Sequence, residues 1–391
     1  MTMKLLPVAL SLLALVPASC TASPAGDNGA SSAPASEPFR IEELATFEEP
    51  WAIRFDEGTD ALFVTEKKGT IRFRRPDGTI GTVTGVPRVD YGGQGGLGDF
   101  VFAPGQTAAT LDRRVVYLSW VEAGRGDTRG AAVGRADMIC GDHDTCDLRN
   151  LKVIWRQQPK VTGRGHFSHR LAFSPDGKYL FVASGERQKG EPAQDTTNTL
   201  GKIVRLLPDG TPAPGNPLAK KGTPSDEIWS WGHRNILGLR FDPQGRLWDL
   251  EHGPRGGDEL NLVEPGANYG WPLASNGDHY DGKPIPDHRP GDGFAAPAIS
   301  WNPVIAPGDM IFYTGDQFPQ WKGQVLIAAM QPAGIVRVAI DGAEARELAR
   351  YPMPNRVRSI AQAPDGAVWV VEDGKNLRRS RLLRLTPKSA E

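Results

Sequence analysis

The chain has 391 residues, with 45 Lys or Arg against 46 Asp or Glu and a formal net charge of −1. So balanced a field offers nucleic acid or an anionic membrane surface no electrostatic hold, and neither is expected as a partner. Glycine (46) and proline (33) are plentiful and hydrophobic residues make up 39%, which favours many short strands joined by turns over long helices.

Residues 1–19 read as a targeting segment. Lys4 precedes an apolar run from Leu5 to Val16 that is too short to span a bilayer. Cys20 follows Pro17-Ala18-Ser19 and resembles a lipoprotein cleavage site, which would put a lipid anchor on Cys20. A secretory signal cut after Ala18 is the alternative, and either reading exports the chain, to the periplasm or to an anchored position at the outer membrane. Residues 20–38 are an Ala/Ser/Pro-rich tether, and residues 39–391 form the folded domain. Cys140 and Cys146 bracket the five residues GDHDT, a spacing that suits a loop-closing disulfide in an oxidising compartment. Two free thiols are the alternative.

From Trp51 onward one pattern recurs: an apolar strand, a turn of the Pro-Asp-Gly kind, a second apolar strand, then a polar stretch. WAIRFDEGTDALFVTEKKGTIRFRRPDG is the first copy. Further copies begin near Leu97, Arg170, Ile228, Met310 and Arg358, making six. Radial repetition of one hairpin predicts an all-β, six-bladed β-propeller, whose sheets expose only short edges. Insertions at residues 185–201 and 276–302 are expected to form loops on one face, and a ligand site on the axis would draw on several repeats.

Five stretches carry chemistry-bearing residues. Gly92-Gly93-Gln94-Gly95-Gly96-Leu97-Gly98 contains G-x-G-x-x-G, but a strand and turn follow it, where a dinucleotide fingerprint needs a helix. It reads either as a plain glycine loop or as backbone that approaches a flat ligand, with Gln94 able to bond it. His166, in GHFSHRL, stands at the head of the third hairpin, where a general base or a structural histidine fits. No third His or Cys nearby suggests zinc. Arg234 and Asn235 head the fourth hairpin and suit a carbonyl or carboxylate ligand; a surface arginine is the plainer reading. His252 to Glu259 (HGPRGGDE) combines free carbonyls with Asp258 and Glu259, oxygens that calcium takes, or else forms a solvated turn. Arg356 and Arg358 lie two apart on a strand and share a face, which asks for an anion unless that face is solvated.

In combination and order, GHRN, EHGPRGGDE, NYGWP and R-x-R before a Pro-Asp-Gly turn resemble the soluble pyrroloquinoline quinone (PQQ)-dependent aldose sugar dehydrogenases of the glucose/sorbosone dehydrogenase family. The resemblance runs from about Phe47 to the C-terminus. It implies a six-bladed propeller, in agreement with the repeat count, and the cofactors PQQ and Ca2+. It implies His166 as catalytic base, Asp258 as the acid beside it, and Arg234 acting on the quinone carbonyl. Gln94, Arg234, Asn235, Arg356 and Arg358 match cofactor-site residues. The carbonyls of Gly253 and Pro254 match ligands of the calcium that holds PQQ, and Glu259 and Tyr269 match a second, structural calcium site.

Three positions depart from the family pattern. Gln331 stands where relatives place a lysine on the cofactor, His169 where they carry a small residue, and Ile236-Leu237 where they have Pro-Gln. The implied reaction is oxidation of an aldose sugar at C1 to a lactone, with electrons passed to an external acceptor. Two competing readings remain. A calcium-dependent lactonase would want several carboxylates around one metal and no arginine pair, and a sugar-binding propeller with weakened cofactor binding is suggested by Gln331.

Overall fold

The structure, a computed structural model, describes residues 37–141, 144–374 and 379–388. The expected targeting segment, Cys20 and nearly all of the tether lie outside the described residues.

Within the described residues the regular elements are β-strands and four three-residue 3₁₀ turns. Each expected hairpin forms. The first repeat gives Pro50–Phe55, Leu62–Glu66, Thr70–Arg74 and Ile80–Thr84; the second gives Leu97–Phe102, Arg113–Ala123, Arg129–Cys140 and Thr145–Arg156. These eight strands join in one sheet, because Thr82 to Thr84 pair in parallel with Thr145 to Asp147 at the outer edge of both repeats. The other four repeats give four separate four-stranded antiparallel sheets. The last sheet is completed by Phe39–Phe47, which pairs with Ser380–Pro387 and ties the two ends of the domain together. The arrangement is propeller-like.

The turns explain the hairpins. In Ser174-Pro175-Asp176-Gly177 the Gly177 N–H donates to the Ser174 carbonyl at 2.8 Å, and Gly177 sits at φ 70°, where a Cβ is unfavourable. The core lies between successive sheets. Leu326, Ala328, Ile335 and Tyr351 of the fifth repeat pack with Val357, Ile360 and Val368 of the sixth, around a fully buried Trp321.

The innermost strands converge on a buried ionic cluster. Asp99 and Asp309 are fully buried. Arg54 lies 2.8 Å from Asp99, Arg240 2.9 Å from Asp309, and Arg170 within 3.6 Å of Asp99 and 3.5 Å of Asp309. Burial opposes ionisation of Asp309, yet Arg170, Arg240 and Arg54 hold its carboxyl down to about 2. The Arg170 guanidinium lies 3.9 Å from the centre of the Trp51 ring, so the cluster underlies that indole.

Cys140 and Cys146 face each other across an antiparallel pair and form a disulfide. Neither lines the cavity described below. Cys140→Ser is expected to lower stability against unfolding by about 2 kcal/mol, the loop-closure value for so short a ring, with the activity expected from the sequence unchanged. Thermal melts and turnover of the variant check this; lost turnover in a folded variant would assign the cysteines a catalytic role.

Candidate active site

Loops preceding the innermost strands enclose a cavity of about 410 Å³. Gln94, Asn235, Arg356 and Arg358 line it, drawn from three parts of the chain that are distant in sequence. Trp51, His169 and Leu237 add apolar wall, and Lys67, Glu49 and Asp373 add charge.

His166 is held at the head of Ser168–Phe173, next to the cavity-lining Phe167 and Ser168. Gln94 fixes its backbone: Oε1 accepts the His166 N–H at 2.7 Å, while the Gln94 N–H donates to the Arg164 carbonyl at 2.8 Å. His166 Nδ1 pairs with the Glu186 carboxylate. The other Glu186 oxygen accepts the N–H groups of Lys189 and Gly190, and the Glu186 N–H donates to the Arg234 carbonyl at 3.0 Å. Burial lowers the His166 pKa, Glu186 opposes that, and Arg234 lowers it again; the net shift is downward. The imidazole is therefore neutral at pH 7, its Nδ1–H given to Glu186 and its Nε2 lone pair left to accept a proton.

The backbone around this pair is strained. His166, Ser168, His169, Arg187 and Gln188 are non-glycine residues at φ between 50° and 63°. Left-handed non-glycine residues cost about 1 kcal/mol or more each and persist where surrounding structure holds them. Arg187 supplies much of that hold. Its guanidinium donates to the carbonyls of Gly165 at 2.9 Å and Arg129 at 2.6 Å and covers the Phe167 ring at 3.7 Å.

Asp258 is not the acid beside His166. Its Oδ1 accepts the Gly253 N–H at 2.9 Å, and its Oδ2 accepts those of Ile305 at 2.8 Å and Ala306 at 2.7 Å. It braces the glycine turn against the next repeat. Glu186 takes the orienting place because the third hairpin pairs Ser168 with Ser184, which makes the residues flanking the two strand ends neighbours.

Arg234 donates through Nη1 to the Gly253 carbonyl at 2.7 Å and the His252 carbonyl at 3.1 Å, and through Nη2 to the Tyr280 hydroxyl at 3.3 Å. Trp271 also flanks it, at 5.0 Å. Tyr280, 74% exposed, carries no signal in the sequence beyond lying in the 276–302 insertion.

The turn expected to hold calcium through the Gly253 and Pro254 carbonyls is tightly folded. A Cβ on Gly253 would lie 2.2 Å from both the Gly256 and the Gly257 carbonyl oxygens, so backbone oxygens converge there. Such donors suit a hard cation, although the Gly253 carbonyl is shared with Arg234. Deeper in the fourth repeat, Glu251 faces Glu259 and Asp249 faces Asn261 across paired strands. Asn261 Nδ2 lies 3.2 to 3.4 Å from all three carboxylates, and His233 Nδ1 lies 3.1 Å from Glu251. Asp249 Oδ2 and Asn261 Oδ1 have no hydrogen-bond partner. Burial first and Glu251 second raise Asp249 and Glu259 well above the carboxylate range. A cation would relieve that repulsion, and the ligand atoms within 4.8 Å of one another are those of His233, Asp249 and Glu251. Tyr269 borders the same small void, but its hydroxyl turns away, donating to the Leu262 carbonyl at 2.6 Å.

The family model for glucose/sorbosone dehydrogenases matches residues 47–384. The chain belongs to this family. It is 35% identical over 348 residues to aldose sugar dehydrogenase YliI of Escherichia coli, covering 87% of this chain and 90% of the relative. The apo-form structure of the soluble E. coli aldose sugar dehydrogenase superposes with a TM-score of 0.81 at 34% identity, covering 90% of this chain and all of that one. The PQQ-bound aldose sugar dehydrogenase of Streptomyces coelicolor gives 0.69 at 27% identity, with 90% and 100% covered.

Against the glucose/sorbosone dehydrogenase pattern, the divergent positions now have places. Gln331 is exposed and does not line the cavity; Met330, the last residue of Val325–Met330, does, and the chain turns outward after it. His169 is wall: its ring stacks on Trp51 at 5.0 Å and meets Ser119 Oγ at 3.0 Å, and burial pushes its pKa down to about 3. The arginine pair already has an anion. Asp373 accepts from Arg356 Nε at 2.7 Å and Arg358 Nη2 at 2.8 Å. The glycine loop makes room for protein as well as cavity: a Cβ on Gly98 would lie 1.9 Å from His169 Nδ1, and one on Gly96 2.1 Å from the Lys67 carbonyl.

Proposed function

We propose that the protein is a PQQ- and calcium-dependent aldose sugar dehydrogenase that oxidises the sugar at C1 to the lactone and passes electrons to an external acceptor. The observation that carries this is the His166–Glu186 pair, held beside a cavity edged by Arg356, Arg358, Gln94 and Asn235. The fold is read as six blades, with the eight-stranded sheet counted as two. Export, and a lipid anchor on Cys20, belong to the same reading.

The cavity residues fit PQQ: the guanidinium N–H groups that Asp373 leaves over for its carboxylates, amides for its ring oxygens, and indole and imidazole walls for its plane. When bound, PQQ with its calcium would supply the acceptor for the hydride of the sugar carbon. Gln94, Asn235, Arg356 and Arg358 would hold and orient it, and the carbonyls of the Gly253 turn would hold the calcium. His166 Nε2 removes the proton of the C1 hydroxyl, and Glu186 stabilises the imidazolium that results. Arg234, bonded to the Gly253 turn, would stabilise the negative charge that develops on the quinone oxygen. The lactonase reading loses support, since Asp373 is tied to the two arginines and the buried carboxylate cluster lies outside the cavity.

Calorimetric titration with PQQ tests the cofactor pair. Binding should be at least about tenfold tighter with calcium than with a chelator, the effect of one good charged contact. Equal affinity in both would contradict a calcium-held cofactor.

A further inference from the structure

We infer that Lys67 is a ligand of a cofactor carboxylate, a role that nothing in its sequence context signals. The inference rests on PQQ as the occupant of the cavity. Lys67 follows the strand Leu62–Glu66 and lines the cavity together with Arg356, Arg358 and Asp373.

Its backbone is fixed on both sides. The Lys67 N–H donates to the Glu49 carbonyl at 3.0 Å, and its carbonyl accepts the Leu97 N–H at 2.9 Å. Gly96 packs so closely on that carbonyl that a Cβ would collide with it. The side chain is half-buried and lines the cavity, with its ammonium at the exposed rim, 5.8 Å from the Tyr91 ring.

The ammonium is under-used. Its hydrogen bond is to the Gly93 carbonyl at 2.9 Å, and an ammonium carries three N–H donors. No carboxylate of the described residues lies within ion-pair distance of it, whereas the two arginines share Asp373. Burial and then Arg358 lower its pKa, a penalty that an arriving anion would relieve. A half-buried cation with spare donors, beside guanidiniums that already have a counter-ion, is complementary to a planar polycarboxylate. Gln331 is exposed and offers the cavity no such group.

The test is PQQ affinity, measured by calorimetry at saturating calcium for the wild type, Lys67→Met, Lys67→Arg and Gln331→Lys, with far-UV circular dichroism and thermal melts to show that each variant folds. Lys67→Met should weaken PQQ binding about 10- to 100-fold, the usual effect of one charged hydrogen bond. Lys67→Arg should stay within a few-fold of wild type, and Gln331→Lys should leave affinity unchanged. If wild type binds and Lys67→Met binds equally tightly, or if Gln331→Lys alone tightens binding, the role of Lys67 is overturned while the cofactor reading stands. If the wild type itself does not bind PQQ, the cofactor reading falls first.

Discussion

His166→Ala is expected to lower kcat for aldose oxidation by about 100- to 10,000-fold, the contribution of a positioned general base, while PQQ still binds. The C1 hydroxyl must lose its proton as hydride leaves, or a protonated carbonyl results. Nε2 is the available acceptor: Nδ1 is committed to Glu186, and burial keeps the ring neutral. The loss should fall on kcat, because the contact strengthens in the transition state. His169→Ala should cost far less, since that ring is packed on Trp51 and bonded to Ser119. Steady-state kinetics of both variants with saturating PQQ and calcium decide this. Near-normal turnover in His166→Ala, or a dead His169→Ala, would reassign the base.

Glu186→Gln should cost about 1,000- to 10,000-fold in kcat, by analogy with removing the carboxylate behind a catalytic histidine. The amide keeps the shape, but it no longer stabilises the imidazolium or selects the tautomer with a proton on Nδ1. The pH dependence gives a second readout. The working form of His166 is neutral, and its pKa is lowered by burial, so wild-type kcat/KM should hold below pH 6.5 before falling in acid. Glu186 raises the His166 pKa, so its removal lowers that pKa further and moves the acid limb to still lower pH. Asp258→Asn should behave differently. Asp258 accepts three backbone N–H bonds and touches no histidine, so its loss should reduce stability and leave the pH profile in place. A shifted limb in Asp258→Asn and none in Glu186→Gln would reverse the two assignments.

The hairpins were legible because each is written locally: apolar strands flank a turn rich in Gly, Pro or Asp, as in Pro175-Asp176-Gly177 and Asp242-Pro243-Gln244-Gly245. Gln94, Asn235, Arg356 and Arg358 were legible for a related reason, since each stands at the head of an innermost strand or in the glycine loop before one. What the sequence hid is long-range. Phe39–Phe47 lies ahead of the first repeat and carries no copy of the pattern, yet it pairs with Ser380–Pro387. Glu186 lies 20 residues after His166, and only the register of the hairpin, counted back from its turn, makes them neighbours. The family resemblance names Asp258 as the acid beside the histidine, but its carboxylate is consumed by backbone donors. Lys67, in Glu66-Lys67-Lys68, looks like a surface cation, but it lines the cavity beside Arg356 and Arg358. Asp373, 15 residues after Arg358, supplies from within the anion that the arginine pair seemed to require from outside.

The most direct measurement is turnover of the purified chain supplied with PQQ and calcium, following reduction of an artificial electron-accepting dye by aldoses. A PQQ- and calcium-dependent sugar dehydrogenase reduces dye with at least one aldose, yields the lactone, and stops when either PQQ or calcium is withheld. Tight PQQ binding with no dye reduction by any aldose, or dye reduction that persists without PQQ, would contradict it.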